Sequence, residues 1–113
     1  MADELSKSQK KALRDWIYRA HNEALRRALP ALSADFDRWR RGEIDSIALA
    51  DHLRAFDEGP SREIYRRFTY SNNAQLRMAV AGAIQDGLID ETTLSDEVRA
   101  CLASWLAFLE KKV

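Results

Sequence analysis

Apolar side chains recur at intervals of three and four residues along almost the whole chain, and no strand-like alternation survives more than a few positions. That rhythm matches the 3.6-residue turn of an α-helix and confines the chain to an all-α class. With two prolines and four glycines in 113 residues, few places exist where a helix must stop. Those places divide the chain into a compact bundle of about five helices. It is expected to form a single domain over residues 1–113, with 1–5 as a flexible N-terminal tail.

The long first helix opens at Ser6, where Gln9 three residues on gives the spacing of a capping box. It runs to about Arg41, where Gly42 supplies the stop. Leu13, Ile17, Ala20 and Ala24 form one apolar stripe. Leu25, Leu29, Leu32, Phe36 and Trp39 form a second, offset by about a quarter-turn at roughly 100° per residue. Pro30 lacks the backbone donor that a helix interior uses. The expectation is therefore a Pro30-kinked helix, or two abutting ones, whose halves face different neighbours.

Asp45 or Ser46 caps a second helix with Leu49, Leu53 and Phe56 inward, ending near 57–59. Pro60 suits the first turn of a short third helix carrying Ile64 and Phe68. A fourth starts at Asn72, turns Leu76, Ala79, Val80, Ala83 and Ile84 inward, and stops at Gly87. Ser95 caps a fifth that carries Val98, Cys101, Leu102, Trp105, Leu106 and Leu109.

The 18 basic and 18 acidic residues cancel, so attraction to nucleic acid or to an anionic membrane has to come from local clustering. Two clusters qualify. Arg38, Arg40 and Arg41 surround Trp39, and Arg62, Arg66 and Arg67 surround Tyr65. Cations in a last helical turn also answer the partial negative charge of the carboxyl end. Pairs at i,i+4 give these arginines local partners: Asp37 with Arg41, Glu58 with Arg62, and Glu63 with Arg67. That structural explanation outweighs an anion site in which aromatics stack on bases and arginines grip phosphates.

Catalytic and metal constellations are missing from the pattern. One cysteine, Cys101, lies on an apolar stripe, which excludes a disulfide framework or thiolate cluster and points to an inert thiol. His21 and His52 have no acidic residue three positions away, so neither belongs to a Glu-x-x-His or His-Glu-x-x-His metal motif. Stretches 37–48 and 86–97 have the outline of a calcium-binding EF-hand loop, but Trp39, Arg41, Ala48 and Leu88 occupy ligand positions. No nucleophile elbow or glycine-rich phosphate loop occurs. The expectation is no enzyme activity and no cofactor. The start lacks the apolar core of a signal peptide, and no apolar run reaches membrane-spanning length. A soluble chain of a reducing compartment, most simply the cytoplasm, with no membrane partner, is expected.

What remains is surface. Trp16, Trp39, Arg38, Arg40, Arg41, Arg62, Tyr65 and Arg66 are the expected interaction residues. The expected function is a non-catalytic protein-interaction or regulatory module with a protein partner. Homodimerisation through the bent first helix is the preferred form, because two offset stripes exceed what a five-helix monomer covers. The alternative is a nucleic-acid or phosphate-ligand binder using the arginine clusters at 38–41 and 62–67.

Overall fold

In the computed structural model, which describes residues 4–111, Ser6 starts α1 (Lys7–Ala28) with the capping box in place. The Ser6 hydroxyl accepts from the Gln9 N–H at 3.0 Å, and the Gln9 side-chain oxygen accepts from the Ser6 N–H at 2.8 Å. Leu29 separates α1 from α2 (Pro30–Arg40). Pro30 takes the first position of α2, where its missing N–H would have no helical acceptor. Leu29 keeps right-handed helical torsions, φ −61° and ψ −30°, so the two helices abut. At the far end Gly42 adopts φ 76°, the Gly42 N–H donates to the Trp39 carbonyl and the Glu43 N–H to the Arg38 carbonyl. This closure is open to glycine because it requires a left-handed residue.

Asp45 caps α3 (Ser46–Phe56) by accepting from the Ala48 N–H at 2.8 Å. The stop expected near 57–59 does not occur. The helix widens into a π turn over Asp57–Ser61 and continues as α4 (Arg62–Arg67). Pro60 has no N–H to give to the Phe56 carbonyl, and in a regular α turn its ring presses on that oxygen. One extra residue in the turn clears the ring without leaving the helical path. Residues 46–67 are thus one rod, folded back along the rod formed by α1 and α2.

Asn72 caps α5 (Asn73–Gln85) through the Gln75 N–H. Gly87, at φ 75°, ends it and turns the chain back. A short 3-10 turn over Glu91–Thr93 then leads to α6 (Asp96–Lys111), where the Ser95 hydroxyl accepts from the Val98 N–H.

The core sits at one end. Leu13, Ile17 and Ala20 of α1 pack with Leu76, Val80 and Ala83 of α5, Val98 and Leu102 of α6, and Phe68 at the end of α4. Small residues at 81 and 83 on α5 are fully buried, which lets the neighbouring helices approach closely. Leu5, Ile89 and Leu94 also join this core, although none lies on a helix. Leu5 therefore packs within the stretch expected to be a flexible tail, while residues 1–3 of that stretch lie outside the described residues. Helices α2 and α3 contribute nothing to this cluster. Leu49 is their one fully buried side chain, and Leu32, Phe36, Leu53 and Phe56 are half-buried between them.

The all-α expectation therefore holds, as a compact base from which the α2–α3 hairpin projects. The extents are 59 × 26 × 25 Å, and the radius of gyration is 17.8 Å. A globular chain of this length has about 13 Å. Among the described residues no helix is long and apolar enough to cross a membrane.

The two regions differ in what a deletion removes. Leu102→Ala at the base should lower stability by about 2–5 kcal/mol, and Leu49→Ala in the hairpin by about 1–2 kcal/mol, because two solvated helices close over a small void more readily than a packed base does. Urea unfolding followed by circular dichroism measures both. Cys101 lies half-buried on α6, where desolvation pushes its thiol up and outweighs the opposing pull of the Arg77 cation. A raised thiol pKa leaves less thiolate at neutral pH, so iodoacetamide should label native Cys101 at least about tenfold more slowly than the urea-unfolded chain.

Candidate functional site

The tip of the hairpin carries the first arginine cluster. Trp39 stands edge-on to Phe36, ring centroids 6.4 Å apart at 85°, and its indole N–H donates to the Ser46 hydroxyl at 3.0 Å. That bond spans the turn and fixes the ring between α2 and α3, yet Trp39 stays 39% exposed. Arg40 pairs with Asp37 at 2.8 Å and lies over the Phe36 ring. Arg41 pairs with Glu43 at 2.9 Å, and this hydrogen bond holds the Glu43 carboxyl below its usual range and raises Arg41. The expected Asp37–Arg41 pair does not form. Arg41 is already at the helix cap, where its side chain turns toward the loop instead of back along the helix. Arg38 approaches Asp35 at 3.8 Å. Asp35 also comes within 3.3 Å of His52 Nδ1 across the hairpin, near enough for charge pairing although no hydrogen bond forms. Every arginine of the tip cluster thus has a carboxylate beside it.

The second cluster lies at the other end of the rod. The expected Glu58–Arg62 pair is absent, because the π turn between them shifts Glu58 off the line of Arg62. The expected Glu63–Arg67 pair is absent too, because Arg67 reaches across to Asp86 and the Gly82 carbonyl at the end of α5. Among the described residues no carboxylate lies within ion-pair distance of Arg62 or Arg66. Tyr65 is exposed, and with Arg62, Asp57 and Ser61 it borders a shallow depression. Arg66 lines a separate groove between α4 and α5, about 420 Å³, with Met78 and Gln75.

Of the residues expected to form one surface, Arg38, Trp39, Arg40 and Arg41 do come together at the tip. Arg62 and Tyr65 come together at the base, about 24 Å away along the helix axis at 1.5 Å per residue, while Arg66 faces the separate groove between α4 and α5. Trp16 belongs to neither group. It packs half-buried against the core, with the Arg19 guanidinium 4.7 Å above its ring. The two most exposed large apolar residues lie outside the expected set: Ile47 on α3, 74% exposed, and Tyr18 on α1, 76% exposed. The signal for Ile47 was its position off the line of Leu49, Leu53 and Phe56. Arg77 is buried on α5 near Leu5, Cys101 and Trp105. Its spacing of three residues before Val80 was the cue that it faces inward.

Among the described residues no group of three His, Cys, Asp or Glu side chains converges as a metal site. Asp86 is committed to Arg67, and Asp90 caps the 3-10 turn, where bonds from the Thr92 hydroxyl and N–H hold its carboxyl below the usual range. What the tip offers is a partly exposed indole, hydrogen-bonded across the turn, within a ring of matched charges. No family model, no curated protein and no solved structure matches the chain, so its role is read from this geometry.

Proposed function

We propose that this chain is a non-catalytic protein-interaction module that presents the α2–α3 hairpin to a protein partner. The observation that carries this reading is the imbalance at the hairpin. It extends well beyond the core, buries a single side chain completely, and leaves Leu29, Trp39 and Ile47 in solvent. Two helices in water gain most of their stability from tertiary packing, so a pair with so little shared core stands to gain by being covered. Trp39 has the properties of an interface anchor, being large, held by a hydrogen bond and apolar over most of its surface. The matched charges around it suit the polar rim of such an interface.

A second reading, nucleic-acid or phosphate-ligand binding, draws support at the base, where Arg62 and Arg66 stand without carboxylates beside exposed Tyr65. Cations already answered by carboxylates at the tip, and the distance between the clusters, weigh against a continuous anion track.

Trp39→Ala and Ile47→Asp should keep native helicity and melting while reducing capture of the partner protein from the source cell. A loss of about 2 kcal/mol, or roughly thirtyfold in affinity, is expected at Trp39. Unchanged capture by both folded variants would remove the hairpin from the function. A labelled single-stranded oligonucleotide should not be retained at low salt. Retention that falls steeply with added salt and disappears in Arg62→Ala would transfer the function to the second reading.

A further inference from the structure

We propose that the hairpin's partner is a second copy of this chain, docked head to tail about a two-fold axis so that the 43–58 side of each hairpin, acidic at the two ends of α3, covers the basic outer face of the other copy's α1. This rests on the interaction-module reading and names the occupant.

Charge placement supplies the argument. Over Lys7–Ala28 there are seven cations (Lys7, Lys10, Lys11, Arg14, Arg19, Arg26, Arg27) and two anions (Asp15, Glu23), 7 − 2 = +5. Over 43–58 there are five anions (Glu43, Asp45, Asp51, Asp57, Glu58) and one cation (Arg54), 1 − 5 = −4. The two segments face different neighbours within one copy: α1 packs its inner side on α5 and α6 at the base, and α3 packs on α2. Among the described residues Lys7, Lys10, Arg14 and Arg26 have no carboxylate within ion-pair distance, and Asp57 and Glu58 have no cation. Reversing a second copy end for end along the 59 Å axis sets each charged segment beside its complement, and does so twice.

The outer faces carry matching relief. Lys7, Lys11, Arg14 and Tyr18 follow one line of α1 at spacings of 4, 3 and 4. Ile47, Asp51 and Arg54 follow one line of α3 at spacings of 4 and 3, Glu58 lies beyond them in the π turn, and exposed Ala50 and Ala55 leave room beside the line for a helix to approach. Tyr18 and Ile47, the two most exposed large apolar side chains, fall on these lines and are covered together. Stacking copies with both tips in one direction leaves a free end at each step and gives filaments, whereas the two-fold arrangement closes after two. The net charge of zero adds no overall repulsion.

Sedimentation velocity over a wide concentration range, at low and high salt, is the test. The wild type should form a dimer whose Kd rises with ionic strength. Asp57→Lys with Glu58→Lys, or Lys7→Glu with Arg14→Glu, should each weaken self-association about tenfold. Mixing the two charge-reversed chains should restore a heterodimer, because one of its two contacts then keeps both wild-type faces, which neither reversed homodimer has, a result that pairing of like faces does not produce. Hydrogen exchange on the wild type, which needs no variant to fold, should show protection of 7–18 and 46–58 rising together with concentration. A strict monomer at high micromolar concentration and low salt, reversals that leave Kd unchanged, or a mixture that fails to reassociate would each overturn the proposal. A monomer that still loses partner capture on Trp39→Ala overturns the dimer while leaving the module reading in place.

Discussion

Two prolines occupy helical paths without interrupting either, and the architecture depends on this. Pro30 sits where a helix begins, so its missing donor is harmless and α1 runs into α2. Pro60 sits within a helix, where its ring is accommodated by widening one turn to five residues, and α3 runs into α4. Had either proline ended its helix, the chain would have folded back into shorter segments around the base. Instead two long rods lie side by side, and α5 and α6 are enough to enclose only one end of them. Projection of the tip, separation of the arginine clusters and exposure of Trp39 and Ile47 all follow from that continuity.

The electrostatics divide along the same lines. At the tip, short-range pairs neutralise every arginine of the cluster, two of them within the last turn of α2. Such exposed pairs contribute little to stability, on the order of a few tenths of a kcal/mol each, but they make the surface selective about what charge it accepts. At the base, Arg67 is drawn into a bridge to α5, and among the described residues Arg62 and Arg66 have no carboxylate within ion-pair distance. A chain of zero net charge thus carries an uneven surface, basic along α1 and acidic at the two ends of α3.

Much of the fold was legible in the residues, and the legible parts share a physical basis. Caps at Ser6, Asp45, Asn72 and Ser95, and glycine stops at 42 and 87, were readable because they depend on interactions within about four residues. The buried stripes on α1, α5 and α6 were readable from periodicity. Readability failed where distant parts of the chain decide. Leu5, Ile89 and Leu94 are core residues in irregular segments that have no period to reveal them. The fate of Arg67 was settled by Asp86, 19 residues away, and local spacing offered it Glu63 instead. At Pro60 two local rules competed, the preference of proline for a first turn and the ability of a helix to widen around it. The same limit applied to the candidate site. Composition marked Trp39 and its arginines, but only the fold separates them from Tyr65, and Tyr18 carries no local mark of exposure.

Because the hairpin is joined to the base through two unbroken helical strands and shares no core with it, its reach is an adjustable dimension. Seven residues inserted into α2 and seven into α3 would extend the tip by about 10 Å while preserving the angular position of each side chain to within about 20°. Lineages carrying such paired insertions or deletions could alter how far the tip extends without refolding the base. Length variation among relatives is therefore expected to concentrate in 30–56, in matched steps on the two strands.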